Sequence, residues 1–405
     1  MFSIQSQSSA IPASLLEQSR ESLKKILNQT EWGFAQIPRR SSLWSDCEAL
    51  AQQWRGNVDQ IVLIGTGGSS LGVQVITEML GILNVIYIDN VDPLHFQNQI
   101  ESLQDVKRTG WIVTSKSGST IETLCALEMV LQVTSLSSYV AVISEKRKNS
   151  LTEWAQKNSY PQLEIPEDVG GRYSILSPVG MFPAALLGLD LSLFRQGAEE
   201  ALKSEELIAQ LIAQTLMSFE RNEWVTVFWI YASRGLSLGR WIQQLWAESP
   251  GKEQDVKGNP APRTSTPFIA IGTTDQHSTL QQMMEGSRDK FYWFIRFSSL
   301  EKSEPFRSAH FPETEYLKGH SMGELFAAEA KATQLALEHK GRESLCLQTQ
   351  ASLQSHAGEK ALGFFFMMME LVVAGVAQHL GINAFNQPGV ELGKRLAREH
   401  FKTPS

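Results

Sequence analysis

Cysteine is scarce in this chain of 405 residues, which contains only Cys47, Cys125 and Cys346. The three lie far apart, with neither a close pair nor the Cys and His spacing of a zinc site. A disulfide framework and a metal centre are therefore not expected. We expect three reduced thiols buried in the core of a cytoplasmic protein.

An excess of positive charge is also missing. Lys and Arg number 36 against 43 Asp and Glu, which gives a formal net charge of -7. Because nucleic acids are bound through basic surfaces, this balance argues against a nucleic-acid partner. A small anionic ligand remains compatible with it, since one site can be positive on an acidic surface.

Long hydrophobic runs are nearly absent. The longest, residues 361–377, has Glu370 in its middle and barely reaches the roughly 20 residues that a membrane span needs. We expect a buried helix there, at a domain or subunit interface. Residues 1–16 are rich in Ser and Gln, without a basic start or a continuous apolar run, so we expect no secretory signal. With the apolar run read as a buried helix, we expect no membrane partner.

Short apolar runs alternate with helical patterns along most of the chain. Runs rich in Val and Ile predict strands over residues 60–64, 85–88, 111–114 and 139–143, with helices over 71–80 and 121–131 between them. A helical stretch over 191–217 precedes a second series of strands, predicted over 224–231, 268–271, 291–297 and 345–348. This alternation indicates an α/β protein with two parallel sheets, each covered by helices and binding ligands at the carboxyl ends of its strands.

We divide the chain by composition into four parts. They are an N-terminal helical arm (1–45), a first sheet domain (46–190), a linker helix with a second sheet domain (191–380) and a C-terminal segment (381–405). Residues 252–267 hold several Gly and Pro residues and should be irregular. A turn from residue 383 should lead into a basic helix over 391–402.

Two loops that follow predicted strands could bind an anion. Residues 63–72 (LIGTGGSSLG) offer glycines whose N–H groups can approach an anion at a helix start, but they lack the Gly-x-Gly-x-x-Gly spacing and the P-loop lysine of nucleotide sites. A tight strand-to-helix turn is the alternative. Residues 114–123 (TSKSGSTIET) crowd hydroxyl groups around one glycine, which suits a phosphate monoester. An N-cap turn with solvated hydroxyls is the alternative, and Lys116 could contribute only its backbone.

Two segments supply groups for proton transfer. Arg172 stands in GGRYS, where its guanidinium could hold negative charge on an oxygen; a solvated loop arginine is the alternative. Glu248 in QLWAESPGK ends an apolar helix, where a partly desolvated carboxylate could act as a base, although most such glutamates are surface residues.

Two later segments add polar groups. His277 in GTTDQHS follows a strand, a position that is more often structural than catalytic. Gln387 and Lys394 lie in FNQPGVELGK, where a capping or solvated lysine is the default.

These six segments, in this order, resemble the glucose-6-phosphate isomerase family from about residue 63 to residue 394. The resemblance implies two sugar-isomerase (SIS) domains of the αβα kind in a homodimer. It also implies reversible conversion of D-glucose 6-phosphate to D-fructose 6-phosphate through a cis-enediolate, without metal or organic cofactor.

The resemblance further implies a role for each matched residue. The phosphate would be held by Ser115, Lys116, Ser117 and Thr120, with Ser119 in the same loop. The sugar would be lined by Gly68 and Ser69 and its hydroxyls held by Gln244 and Gln387. Glu248 would be the base, Arg172 would stabilise the enediolate, and Lys394 would assist ring opening with His277 from the partner subunit.

Two other readings stay open. An isomerase could also accept mannose 6-phosphate, and the same fold could act as a sugar-phosphate sensor without turnover. The presence of Glu248, Arg172, His277 and Lys394 together argues against a sensor, because phosphate binding requires none of the four.

Overall fold

The computed structural model describes residues 1–7, 9–29 and 31–401. Its strands are β1 (Phe2–Gln7), β2 (Gln60–Ile64), β3 (Val85–Ile88), β4 (Thr109–Thr114), β5 (Val140–Ser144), β6 (Gln162–Glu164), β7 (Val225–Tyr231), β8 (Thr266–Ile271), β9 (Lys290–Phe297) and β10 (Ser344–Thr349). Its helices are α1 (Ala13–Asn28), α2 (Ser41–Trp54), α3 (Leu71–Leu80), α4 (Pro93–Glu101), α5 (Ile121–Val133), α6 (Ser150–Asn158), α7 (Pro178–Leu186), α8 (Leu191–Lys203), α9 (Glu205–Glu220), α10 (Leu236–Glu248), α11 (Leu280–Glu285), α12 (Met322–His339), α13 (His356–His379) and α14 (Glu391–His400).

The strands form two five-stranded sheets. The first, in the order β3-β2-β4-β5-β6, is parallel throughout. The second, in the order β1-β10-β9-β7-β8, is parallel except for β1. The predicted α/β class with two parallel sheets is therefore confirmed.

Helices cover both faces of each sheet, which explains why the strands read as continuous apolar runs. In β4, Ile112 packs with α2, α3 and α7, whereas Trp111 and Val113 pack with α5 and α6 on the opposite face. In β7, Phe228 faces α10 and α13, while Trp229 faces α11 and α12. Each half of the chain is thus a three-layer αβα unit.

The N-terminal residues differ from the expected helical arm. Phe2–Gln7 is a strand that pairs antiparallel with β10, and Phe2 is buried against the rings of Phe297 and Phe365. Alternation of apolar Phe2 and Ile4 with polar residues is the pattern of a half-buried edge strand, although the richness in Ser and Gln concealed it. Helix α1 and the start of α2 agree with the prediction.

Most predicted element bounds agree with the structure to within two residues. Strand β6, of three residues, was missed because so short a segment carries little pattern. Pro267 lies inside β8 rather than in an irregular segment, and an edge strand tolerates the missing N–H. The helical stretch from residue 191 divides at Ser204 into α8 and α9. Of the predicted C-terminal helix, Lys402 lies outside the described residues.

Helix α13 is the buried helix predicted for the apolar run, and it lies at the centre of the core. It is long and apolar enough to cross a membrane by length and composition alone, but 94% of its most apolar window is buried inside the protein. Small residues bring α8 and α13 together, because a Cβ atom on Gly363 would lie 2.1 Å from the carbonyl oxygen of Phe194. The run is a buried core helix.

One cysteine expectation is wrong. Cys47 and Cys346 are buried, but Cys125 is exposed. Cys125 lies on α5, where Ala126 and Leu127 face the core and the cysteine falls on the outer side of the helix. All three are free thiols.

The two sheet domains meet through α3 and α10. The carboxylate of Glu78 on α3 accepts hydrogen bonds from the Ser237 hydroxyl, at 2.6 Å, and from the Ser237 backbone N–H, at 3.2 Å, in the first turn of α10. A negative charge is stabilised there by the unpaired N–H groups and the dipole of the helix. This contact fixes α10, whose last residue is Glu248, relative to the loops of the first sheet.

Candidate active site

A cleft of about 560 Å³ opens between the two domains. It lies at the carboxyl ends of β2 and β4, where the strand order of the first sheet reverses and α/β proteins generally bind their ligands. The first sheet, the last turn of α10 and the C-terminal segment all contribute to its wall. Its lining residues are Thr66, Gly67, Gly68, Ser69, Lys116, Ser117, Thr120, Glu122, Glu145, Arg147, Gly171, Arg172, Gln244, Glu248, Gln387, Val390 and Lys394.

The hydroxyl loop between β4 and α5 forms one end of the cleft. Ser117 and Thr120 line it. Ser115 lies behind them, buried, with its Oγ 2.8 Å from Thr120 Oγ1, and Ser119 is exposed beside the cleft with its Oγ 3.2 Å from Ser117 Oγ. Thr120 occupies the N-cap position of α5 but makes no side-chain capping bond. The hydroxyls therefore form a linked chain at an open helix start, an arrangement suited to an anion.

The loop between β5 and α6 supports the hydroxyl loop from behind. The Ser144 hydroxyl and the Glu145 N–H both donate to the Lys116 carbonyl, at 3.2 and 3.1 Å. Gly118 adopts φ of +63°, and a Cβ atom there would lie 1.8 Å from Asn149 Oδ1. Only glycine fits this point of contact.

Glu248 and Arg172 meet in the same cleft. Arg172 Nη1 lies 3.2 Å from Glu248 Oε2, and Gln244 Nε2 donates to Glu248 Oε1 at 3.2 Å. The Arg172 side chain is 3% exposed and that of Glu248 is 30% exposed. Arg172 is thus a buried, fixed cation rather than a solvated loop residue, and the carboxylate is partly desolvated with one face open to the cleft.

Arg172 also fixes the segments on either side of it. Its Nε donates to the Ser249 hydroxyl at 2.8 Å. Its Nη1 donates to Gln387 Oε1 at 3.3 Å, and its Nη2 donates to the carbonyls of Asn386, at 3.2 Å, and Ala384. The guanidinium therefore holds the C-terminal segment against the end of α10.

Stacked aromatic rings anchor the same C-terminal segment. Phe385 stacks on Trp32 with ring centroids 3.9 Å apart, and it also contacts Phe34 and Tyr173. Burial raises the pKa of the Tyr173 phenol to about 12, and its hydroxyl donates to Ser249 Oγ at 3.0 Å. These contacts place Gln387 in the wall of the cleft.

The glycine loop after β2 lies against Gln244 and the Arg172 segment. A Cβ atom on Gly68 would lie 2.4 Å from the Gly171 carbonyl oxygen, so the two loops are in direct contact. Gly68 and Ser69 line the cleft. The Oε1 of Gln244 is buried and has no hydrogen-bond partner within the described part of the chain.

Lys252 was missed at the sequence level, although it belongs to a segment that was singled out. Its Nζ donates to the carbonyl oxygens of Glu248, at 2.5 Å, and Ser249, at 2.7 Å. It thereby closes the C-terminal turn of α10, where cations are favoured. Burial, aided by the nearby Arg172 charge, lowers the pKa of Lys252 to about 8.

The last two predicted site residues are Lys394 and His277. Lys394 on α14 lines the cleft, and its Nζ pairs with Glu391 Oε1 at 2.8 Å. His277 is exposed on a 3-10 turn after β8 and does not line the cleft of its own chain. The structure therefore brings together every predicted site residue except His277, with Ser115 and Ser119 supporting the cleft from behind and beside it.

Three charged cleft residues were not predicted as site residues, namely Glu122, Glu145 and Arg147. Glu122 lies in the first turn of α5. Glu145 and Arg147 follow β5, so the general rule on strand ends could have identified them. Within the described ranges, no group of three or more His, Cys, Asp or Glu side chains could hold a metal ion.

Comparison with known proteins gives a consistent picture. The family model described as phosphoglucose isomerase matches residues 45–404. The chain is 31% identical over 366 residues to a probable glucose-6-phosphate isomerase of Methanococcus maripaludis, covering 86% of this chain and 80% of that protein.

Two solved structures share the fold. A hypothetical protein of Thermus thermophilus superposes with a TM-score of 0.85 at 29% identity, covering 96% of this chain and 95% of that one. A glucose-6-phosphate isomerase of Chlamydia trachomatis superposes with a TM-score of 0.79 at 20% identity, covering 99% of this chain and 88% of the other.

Proposed function

This chain belongs to the phosphoglucose isomerase family, and we propose that it converts D-glucose 6-phosphate and D-fructose 6-phosphate reversibly into one another. The observation that carries the proposal is the Arg172–Glu248 pair, which faces the same cleft as the hydroxyl loop. An aldose-ketose isomerase needs both a phosphate anchor and a base beside a fixed cation, and one cleft offers groups of both kinds.

In the proposed reaction, the phosphate anchors the substrate and the remote carbons react. Ser117, Thr120 and the N–H groups of the loop bind the ester, while Ser115 and Ser119 orient those hydroxyls. Lys116 contributes through its backbone and its charge. Binding energy from the phosphate then fixes the sugar against Glu248.

Glu248 carries the proton. In the open-chain aldose it takes the proton from C2, and the electron pair moves onto O1 to give a cis-enediolate. The proton returns to C1, and the hydroxyl proton moves from O2 to O1, which completes the ketose. One carboxylate serves both directions, because it is regenerated at the end.

Arg172 stabilises the enediolate. Its guanidinium is held by five hydrogen-bond acceptors before any substrate binds, so little reorganisation is needed when negative charge develops on the oxygens. Gln244 and Gln387 hold sugar hydroxyls, with Gly68 and Ser69 along the ring. This division leaves the chemistry to side chains alone, and the proposal includes no metal or organic cofactor.

Ring opening is assigned to Lys394 and to His277 of the partner subunit. His277 is exposed and outside the cleft of its own chain, which fits a residue that acts in a second copy. The proposal therefore includes a homodimer with two equivalent active sites. It also places the protein in the cytoplasm.

One assay separates this function from its alternatives. Purified protein is incubated in heavy water with glucose 6-phosphate or mannose 6-phosphate, and product and carbon-bound deuterium are followed by NMR. Fructose 6-phosphate from the glucose ester alone supports the proposal. Product from both esters indicates the broader isomerase, and binding without product or deuterium uptake indicates a sensor.

A further inference from the structure

Three consecutive cations, Lys146, Arg147 and Lys148, follow β5 at the carboxyl edge of the first sheet. Lys146 pairs with Glu164 at 2.6 Å and Lys148 pairs with Glu153 at 2.9 Å. Arg147 alone of the three lines the cleft. The run is therefore not a uniform solvated patch, because one member is turned toward the site and the two beside it are turned away.

A buried carboxylate holds Arg147 in that position. Glu145 has a side chain only 6% exposed, and its Oε2 lies 2.6 Å from Arg147 Nε. Its Oε1 lies 3.3 Å from Lys116 Nζ, which also donates to the Glu167 carbonyl at 3.2 Å. One carboxylate thus serves two cations beside the hydroxyl loop.

The guanidinium keeps capacity for a second anion. Among the residues that the structure describes, Glu145 is the one group that pairs with the Arg147 side chain, which is 60% exposed. A guanidinium presents five N–H donors in a planar fork, so an arginine bound through Nε can still offer Nη groups to phosphate oxygens. Lys116 and Thr120 line the cleft with it.

We propose that Arg147 is a further substrate-binding residue, which contacts the phosphate of the sugar ester while Glu145 holds its Nε side in place. This inference rests on the proposed function, and it adds a second charged group to a phosphate site built from hydroxyl and backbone donors and the charge of Lys116. Charge-assisted hydrogen bonds are about twice as strong as neutral ones. Arg147 therefore discriminates the dianionic ester from an unphosphorylated sugar.

The test compares Arg147→Gln with Lys146→Gln and Lys148→Gln, which remove the same charge from the adjacent positions. Steady-state kinetics with glucose 6-phosphate should show KM raised roughly fivefold in Arg147→Gln, the range of a part-exposed ion pair, with kcat within about twofold. The inhibition constant of inorganic phosphate should rise by the same factor. Both lysine variants should match the unaltered protein.

A second measurement keeps the inference separate from the proposed function. Calorimetric titration with inorganic phosphate needs no turnover, so weaker binding by Arg147→Gln alone supports the contact even if the protein is a sensor. Phosphate affinity of Arg147→Gln equal to that of the two lysine variants would overturn the inference while leaving isomerase activity intact. A lower kcat with unchanged KM and phosphate affinity would overturn it as well.

Discussion

Arg172 Nη1 lies 3.2 Å from Glu248 Oε2, although the two residues are 76 positions apart in the sequence. Arg172 follows the first sheet, whereas Glu248 ends the helix that leaves β7 in the second. The pair forms because α10 packs on α3 and the Glu78–Ser237 contact joins these helices. The reactive geometry is therefore a property of the domain junction.

The hydrogen bonds from Lys252 to the end of α10 should control the position of the Glu248 carboxylate. In Lys252→Met the Glu248 and Ser249 carbonyls lose their donor, so the last turn of α10 loosens and the carboxylate moves from its place between Arg172 and Gln244. We expect kcat to fall by about one to two orders of magnitude with KM changed less, because misplacement of a reacting group by about 1 Å costs roughly a hundredfold. Steady-state kinetics measures both constants.

Lys257→Met is the matched control for Lys252→Met. Lys257 is an exposed lysine of the same irregular segment and should tolerate the change. Equal kcat values in the two variants would remove Lys252 from the positioning role.

The hydroxyl loop should depend on Gly118. An alanine there would place its Cβ atom within 2 Å of Asn149 and would also be strained at φ of +63°. The loop must then shift, and we expect the KM for glucose 6-phosphate to rise about tenfold or more.

Gly188→Ala is the control that distinguishes backbone strain from a steric clash of the added Cβ atom. Gly188 has φ of +82°, but no atom lies within 4 Å of the added Cβ. This control should lower thermal stability slightly without changing KM. A Gly118→Ala protein with normal KM would show that the loop is not held as described.

Glu370 should destabilise the fold at neutral pH. Both carboxyl oxygens are buried without a hydrogen-bond partner in the described residues, and burial raises the pKa of this group well above its ordinary value of 4.5. The folded protein therefore keeps a proton that the unfolded chain releases. The proton on Glu370 therefore contributes to the free energy of unfolding. This contribution is fully present below about pH 4.5, and it is lost as the pH rises toward the pKa of the folded state.

Two variants test this group by denaturant unfolding. Glu370→Met keeps the volume and removes the unsatisfied oxygens, so the free energy of unfolding at pH 7 should rise by about 1–3 kcal/mol. Glu370→Gln should remove the same share of the pH dependence while still burying an unpaired amide. A loss of stability in Glu370→Met would mean that the carboxyl has a partner that supports the fold.

Much of the fold could be predicted from the sequence, because a strand buried on both faces leaves an unbroken apolar run such as that of β2 or β5. The prediction failed where the hydrophobic pattern of the sequence does not reflect the local structure. The strand Phe2–Gln7 is half polar, and the exposure of Cys125 depends on which side of α5 faces the sheet. Short β6 carries no pattern at all.

The residues of the candidate site were likewise predicted only in part. Four site residues stand in segments whose residue types indicate an anion site or a base, namely Ser117, Thr120, Arg172 and Glu248. Arg147 and Lys252 were not predicted, because by residue type each is an ordinary surface cation. In the structure Arg147 pairs with Glu145, and Lys252 binds the end of α10. Side-chain direction is set by packing, which one sequence does not reveal.

The most direct test of the account is the exchange of a carbon-bound proton by Glu248→Gln. The glutamine variant keeps the volume and the hydrogen bond to Arg172 but cannot take a proton. We expect sugar-phosphate binding by calorimetry within about threefold of the unaltered protein, with deuterium uptake at C2 of glucose 6-phosphate lowered by at least about a thousandfold. Deuterium uptake at the unaltered rate would contradict the assignment of Glu248 as the base.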